Sequence, residues 1–162
     1  MDDKHRILII EDDPGIIELL EVVLESGQYQ TTPAHGGTQG LRLLRETGAD
    51  LVLLDLMMDD VDGWSVLQEM KADRVLRDVP VIILTVRSPW EDPEYADACA
   101  GMYVDYIVKP FSVHDLLKRV DRVLTNHRSP APNAYSPISN PQSPIPHPQS
   151  PIPNPQSPIP NP

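Results

Sequence analysis

The chain is short of the residues that would make it several other kinds of protein. A single cysteine, Cys99, excludes an intramolecular disulfide framework and fits a reducing compartment. Cys99 itself reads as a small apolar residue on a helix. No apolar run approaches the ~20 residues that a membrane span needs. The N-terminus, MDDKHRILIIEDD, is too short in its apolar run and too acidic after it for a secretory signal. Lys and Arg form no cluster, and the formal net charge is −11. Such a balance repels nucleic acid and anionic membrane, so neither is an expected partner, while it suits a site that gathers metal cations. The five histidines show no metal-ligand spacing. A soluble cytoplasmic protein is the expectation.

The last part of the chain lacks charge altogether. From Ser129 to Pro162 there is no Lys, Arg, Asp or Glu, and 13 of the 19 prolines fall there. The segment Asn140-Pro-Gln-Ser-Pro-Ile-Pro146 recurs at 147–153 and 154–160. Prolines donate no ladder hydrogen bonds and few of these residues could form a core, so 129–162 reads as an extended, disordered tail. Its Pro141 and Pro144 have the spacing of a groove-binding motif but no flanking Arg or Lys, and a passive tail is the default. Residues 1–128 remain as one domain of ordinary size.

Within that domain one pattern repeats. Ile7-Leu8-Ile9-Ile10 is a continuous apolar run, as in a strand buried on both faces, and it stops at Glu11-Asp12-Asp13. Asp13-Pro14 resembles a helix cap with proline at the first helical position, Ile16, Leu20, Val23 and Leu24 follow at helical spacing, and Gly27 supplies the stop. A weak strand over 28–32 leads to a helix capped by Thr38 and closed by Gly48. Leu51-Val52-Leu53-Leu54 is a second buried strand that ends in Asp55. Trp64, Leu67 and Met70 mark a third helix. Val81 to Leu84 is a strand ending at Thr85, a fourth helix closes near Gly101, and Tyr106-Ile107-Val108 ends at Lys109-Pro110. A last helix runs from Ser112 to about Asn126. Strands alternating with helices predict a doubly wound, five-stranded parallel sheet, whose ligand site lies outside the carboxyl ends of the strands. Glu11, Asp12, Asp55, Thr85 and Lys109 should therefore meet at one edge.

The residue types at that edge suggest a chemistry. Carboxylates brought together repel unless a hard cation joins them, and Mg²⁺ takes carboxylate and phosphoryl oxygens while keeping several waters. A lysine and a hydroxyl beside it can bind two oxygens of one phosphoryl group. Phosphoryl transfer needs little more than this positioning and charge, and an aspartate can serve as the nucleophile through an acyl phosphate. Asp55 is the natural candidate.

The motifs Ile7-Leu-Ile-Ile-Glu-Asp-Asp13, Leu53-Leu-Asp-Leu-Met57 through Asp62-Gly63, Ile83-Leu-Thr85 and Lys109-Pro-Phe111 resemble, in combination, the receiver domain of bacterial two-component response regulators. The likeness covers about residues 5–126. It implies the flavodoxin-like strand order 2-1-3-4-5, with Asp55 as phosphoacceptor and Mg²⁺, or Mn²⁺ in its place, as cofactor. Asp12 would ligate the metal directly, Glu11 through water and Met57 through its backbone carbonyl. Lys109 would pair with the phosphoryl group and Thr85 would hydrogen-bond it. Tyr106 stands at the family's switch-aromatic position, although it reads equally as a half-buried strand aromatic; phosphorylation would draw Thr85 inward and bury the Tyr106 ring. The implied partners are a sensor histidine kinase or phosphotransfer protein and a downstream protein. Asp13 reads as a helix cap before a ligand, and Trp64 and Phe111 as packing residues.

Three features depart from the family. Asp59 stands where receivers commonly have proline, giving an acid pair with Asp60. Val86 follows Thr85 where a small residue is usual, which predicts slow transfer or slow loss of phosphate. The stretch from Thr85 to Lys109 is longer than usual and carries Pro89 and Pro93, which makes the fourth helix the least regular. The charge-free tail offers no DNA-reading unit, so a single-domain regulator acting by protein contact is expected, with a phosphorelay intermediate or phosphate sink as alternatives. It would be no enzyme beyond promoting its own phosphorylation and dephosphorylation. A phosphatase with an aspartate nucleophile would place a second aspartate where Met57 stands, and a receiver-like module that never takes phosphate would not need Asp12, Asp55, Thr85 and Lys109 together.

Overall fold

Four successive side chains of the first strand are buried, and their alternation divides the core in two. The structure, a computed structural model, describes residues 4–86 and 101–127. Strand β1 (Arg6–Glu11) sends Ile7 and Ile9 to one face of the sheet and Leu8 and Ile10 to the other. Strands β3 (Leu51–Asp55) and β4 (Val81–Thr85) do the same with Leu51, Leu53, Ile82 and Leu84 against Val52, Leu54, Val81 and Ile83. Each such side chain removed from water contributes about 1.5–3 kcal/mol, which is why the strands are continuous apolar runs.

Helices cover both faces. Helix α1 (Pro14–Ser26) packs Ile17, Leu20, Val23 and Leu24 on the first face. Joining it there is α4 (Val113–His127), with Leu116, Val120, Val123 and Leu124. On the second face lie α2 (Gly37–Thr47), with Leu41 and Leu44, and α3 (Gly63–Ala72), with Val66, Leu67 and Met70. With β2 (Gln30–His35) and β5 (Asp105–Val108) the sheet has five strands in the order β2-β1-β3-β4-β5, and every neighbouring pair is parallel. This is the doubly wound, flavodoxin-like fold expected from the sequence.

Local details differ from the reading of the sequence. Gly27 ends α1 as expected, with φ −80, and the residue in the left-handed region is Gln28, at φ 68. A Cβ at Gly27 would lie 2.8 Å from the Tyr29 ring and 3.0 Å from Leu117, so those side chains would have to shift. The turn through Gln28 and Tyr29 delays β2 to Gln30, so the strand spans 30–35 rather than 28–32. Pro33 is accommodated because β2 is an edge strand, where a missing N–H costs least. Thr38 does not cap α2. The N-cap is Gly36, which offers no side chain, and the cap comes from Asp60. β5 begins one residue earlier than expected, at Asp105, whose carboxylate holds Arg119 at 2.8 Å and Arg122 at 2.5 Å and so ties the strand to α4. The expected fourth helix with Pro89, Pro93 and Cys99, and the proline-rich tail, lie outside the described residues. Among the described residues no helix is long and apolar enough to cross a membrane.

Candidate functional site

The strand ends deliver the five expected residues to one edge of the sheet. β1 ends at Glu11 and runs into Asp12; β3 ends at Asp55; β4 ends at Thr85; Lys109 directly follows β5. Glu11, Asp55 and Thr85 are buried, with 1%, 4% and 4% of their surfaces exposed, and Asp12 is half-buried. Oxygen atoms of Glu11, Asp12 and Asp55 all lie within 4.8 Å of one another. Thr85 sits one step beyond Leu84, the register partner of Asp55, and its carbonyl accepts from the Lys109 N–H at 2.7 Å.

Lys109 joins two of the acids. Its Nζ lies 2.6 Å from Glu11 Oε2 and 3.0 Å from Asp55 Oδ2. The Lys109–Pro110 peptide that follows is cis. One ammonium against three carboxylates leaves the edge short of positive charge. Glu11 responds: burial, above all, pushes its pKa up to about 7, Lys109 pulls it down, and Asp55 pushes it up again. Three carboxylate oxygen donors and a shortage of positive charge fit a hard divalent cation such as Mg²⁺.

The loop after Asp55 is fixed at several points. Asp55 Oδ1 accepts from the Met57 N–H at 3.1 Å. Asp12 Oδ2 accepts from the Asp59 N–H at 2.9 Å. The Asp60 carboxylate accepts from the Gly37 and Thr38 N–H groups, both at 3.1 Å, which lowers its pKa against the opposing effect of burial. Asp62 caps α3, accepting from the Ser65 N–H at 3.0 Å and the Ser65 hydroxyl at 2.6 Å. A Cβ at Gly63 would run into the Asp55 carbonyl, so only glycine lets α3 start this close to β3.

The remaining candidates separate. Asp13 is a helix cap, accepting from the Gly15 and Ile16 N–H groups at 2.8 and 3.2 Å. The Met57 side chain is 69% exposed, so any part it plays at the site belongs to its backbone. Tyr106 is half-buried against the core beneath α2 and α3. Val86 is 56% exposed. Trp64 and Phe111 are partly buried packing residues, on opposite faces. The sequence reading missed the bond from Asp59 to Asp12, the Asp60 cap and the Glu11–Lys109 pair. The cap had a signal: a Gly36-Gly37 pair where α2 begins, with no Ser, Thr, Asp or Asn at the N-cap itself.

A doubly wound parallel sheet with an acidic pocket and a lysine at its carboxyl edge defines a flavodoxin-like domain able to hold a cation. Residues 7–121 match the family described as the response regulator receiver domain. The chain belongs to that family. It is 38% identical over 130 residues to the "DNA-binding dual master transcriptional regulator RpaA" of Synechocystis sp., covering 80% of this chain and 52% of that one. It is 35% identical over 132 residues to the "DNA-binding response regulator MtrA" of Mycolicibacterium smegmatis, covering 79% and 54%. The chain thus spans about half the length of these relatives. Among solved structures, the receiver domain of a histidine kinase from Syntrophus aciditrophicus is 32% identical, with a TM-score of 0.69 over 82% of this chain and 99% of that one. The receiver domain of a sensor histidine kinase from Pseudomonas aeruginosa is 30% identical, with a TM-score of 0.68 over 75% and 98%, and is described with a magnesium ion coordinated in its active-site cleft.

Proposed function

We propose that Asp55 is the phosphoacceptor of this receiver domain and takes a phosphoryl group from the phosphohistidine of a kinase or phosphotransfer protein. The observation that carries the reading is the position of Asp55: its Oδ2 is 3.0 Å from the Lys109 ammonium, and its carboxylate shares a pocket with Glu11 and Asp12. An Asp55 oxygen attacks phosphorus, the P–N bond breaks as the P–O bond forms, and the donor imidazole leaves with a proton. The product is an acyl phosphate, which water later cleaves to restore the carboxylate. Lys109 then exchanges carboxylate contacts for phosphoryl oxygens, and the Thr85 hydroxyl binds another of them. Asp12 and Asp55 would hold Mg²⁺ (or Mn²⁺), with Glu11 acting through water and Met57 through its carbonyl. When bound, the cation offsets the negative charge that gathers on the phosphoryl oxygens.

Signalling follows from the switch pair Thr85 and Tyr106, which re-pack once a phosphoryl group is in place. We read the output of this receiver domain as protein–protein contact in the cytoplasm, with no chemistry beyond its own phosphorylation and dephosphorylation. The absence of a basic cluster supports this, although RpaA and MtrA are by name DNA-binding. A relay intermediate or a phosphate sink uses the same site and differs only in the partner. The phosphatase reading is weaker, because Met57 stands where the second acid would be and its side chain is largely exposed. The test is intact-mass measurement after incubation with acetyl phosphate and MgCl2. Wild type should gain one phosphoryl group, and neither Asp55→Asn nor wild type in excess chelator should do so. Labelling that survives both changes would defeat the reading.

A further inference from the structure

Asp59 and Asp60 look like one acidic pair in the sequence, yet they do different things. The Asp60 carboxylate lies across the N-terminus of α2, on the Gly37 and Thr38 N–H groups. That helix has no capping side chain of its own. Gly36 makes the approach possible: its φ of 119 suits glycine, and a Cβ there would lie 2.7 Å from Asp60 Oδ1. Asp60 is therefore a cap delivered from 23 residues away in sequence, and it pins the loop between β3 and α3. Its neighbour Asp59 has an exposed side chain and places its N–H on Asp12 Oδ2 at 2.9 Å.

We propose that the Asp59 backbone N–H, held in place by the Asp60 cap on α2, positions the Asp12 carboxylate for a divalent cation. This rests on the reading of Asp12 as a metal ligand. The bond occupies Oδ2, restrains rotation of the carboxylate and leaves Oδ1 for the cation. A hydrogen bond of this kind to a metal-ligating group typically changes affinity 10–100-fold. A proline at residue 59 has no N–H and could not make the bond. The Pro-to-Asp departure noted in the sequence thus matters through the backbone rather than through the added charge. Asp59 and Asp60 are positioning residues, not catalytic ones.

Charge-matched pairs separate the backbone effect from electrostatics. The full chain is titrated with MgCl2 alone by isothermal calorimetry at pH 8, comparing Asp59→Pro with Asp59→Ala and Asp60→Ala with Asp60→Asn. Within each pair the same charge is lost. Asp59→Ala keeps the N–H, and the Asn oxygen can still accept from α2. The Kd of Asp59→Pro is expected to be about tenfold weaker than that of Asp59→Ala, and Asp60→Ala weaker than Asp60→Asn. Equal affinities within the Asp59 pair overturn the proposal. If Asp59→Pro does not fold, the Asp60 pair decides, and equal affinities there overturn it. Asp12→Asn separates this failure from that of the underlying reading. If it binds Mg²⁺ as tightly as wild type, Asp12 is no ligand and both fall. If it loses binding while the pairs stay equal, only the positioning role falls.

Discussion

Lys109 lies closer to Glu11 than to the candidate phosphoacceptor: its Nζ is 2.6 Å from Glu11 Oε2 and 3.0 Å from Asp55 Oδ2. In the absence of a phosphoryl group the ammonium therefore serves as counter-ion to two buried carboxylates at once. Removing it leaves those charges facing each other. Lys109→Met should cost about 3–5 kcal/mol at pH 8 in chelator, the range for breaking a buried ion pair. Saturating Mg²⁺ should recover part of that loss, because a divalent cation replaces the missing charge. Urea unfolding with and without MgCl2 measures both. An identical deficit in the two conditions would show that the cation and the lysine do not act on the same carboxylates.

The same burial makes the site sensitive to pH. Glu11 has its pKa raised from the ordinary 4.5 to about 7 by desolvation, with Lys109 opposing and Asp55 reinforcing the shift. An acid whose folded pKa is raised binds its proton more tightly when folded. Its stabilising contribution is thus full below about pH 4.5 and is lost as the pH rises through 7. Glu11→Gln should flatten that part of the stability profile in metal-free protein. A cation that needs Glu11 ionised must displace the proton, so Mg²⁺ affinity should fall by up to about tenfold per pH unit below 7. Calorimetric titrations at pH 6 and pH 8 in buffers of different ionisation heat would reveal the released proton. Affinity independent of pH across this interval would contradict the assignment.

Gly63 makes a steric prediction. Because a Cβ there meets the Asp55 carbonyl backbone, Gly63→Ala must push β3 and α3 apart. Forced overpacking of this kind costs about 1–3 kcal/mol, and it should also lower the initial rate of phosphorylation by acetyl phosphate. A variant with unchanged thermal midpoint and unchanged rate would mean that the two elements yield freely.

Val86 directly follows Thr85 and its side chain is 56% exposed. We expect its β-branched side chain to narrow the approach of water or donor to a phosphoryl group on Asp55. Val86→Ala should accelerate transfer from acetyl phosphate, hydrolysis of the phosphorylated protein, or both. Rates unchanged in both directions would remove Val86 from the account.

How much of this was legible in the sequence depends on the kind of interaction. The strands were readable because Ile7–Ile10, Leu51–Leu54 and Val81–Leu84 are buried on both faces and leave uninterrupted apolar runs. The site was readable because a parallel sheet brings strand ends together, so Asp55 and Lys109 converge although 54 residues separate them. Backbone donors and borrowed caps were not. The Gly36-Gly37 pair hints that α2 is capped from elsewhere, but nothing in a one-dimensional pattern names Asp60 as the cap, or says that the Asp59 N–H reaches Asp12. Gly27 was legible as the end of α1, but its close approach to Tyr29 and Leu117 was not.

Where the phosphoryl group resides can be read directly, and Asp55 is the residue expected to carry it. Reducing the phosphorylated protein with borohydride converts an aspartyl phosphate to homoserine, and peptide mass spectrometry then locates the changed residue. Homoserine should appear at residue 55 alone, and only when Mg²⁺ is present. Homoserine at residue 12, 59 or 60, or none at all in protein that carries phosphate, would contradict that assignment.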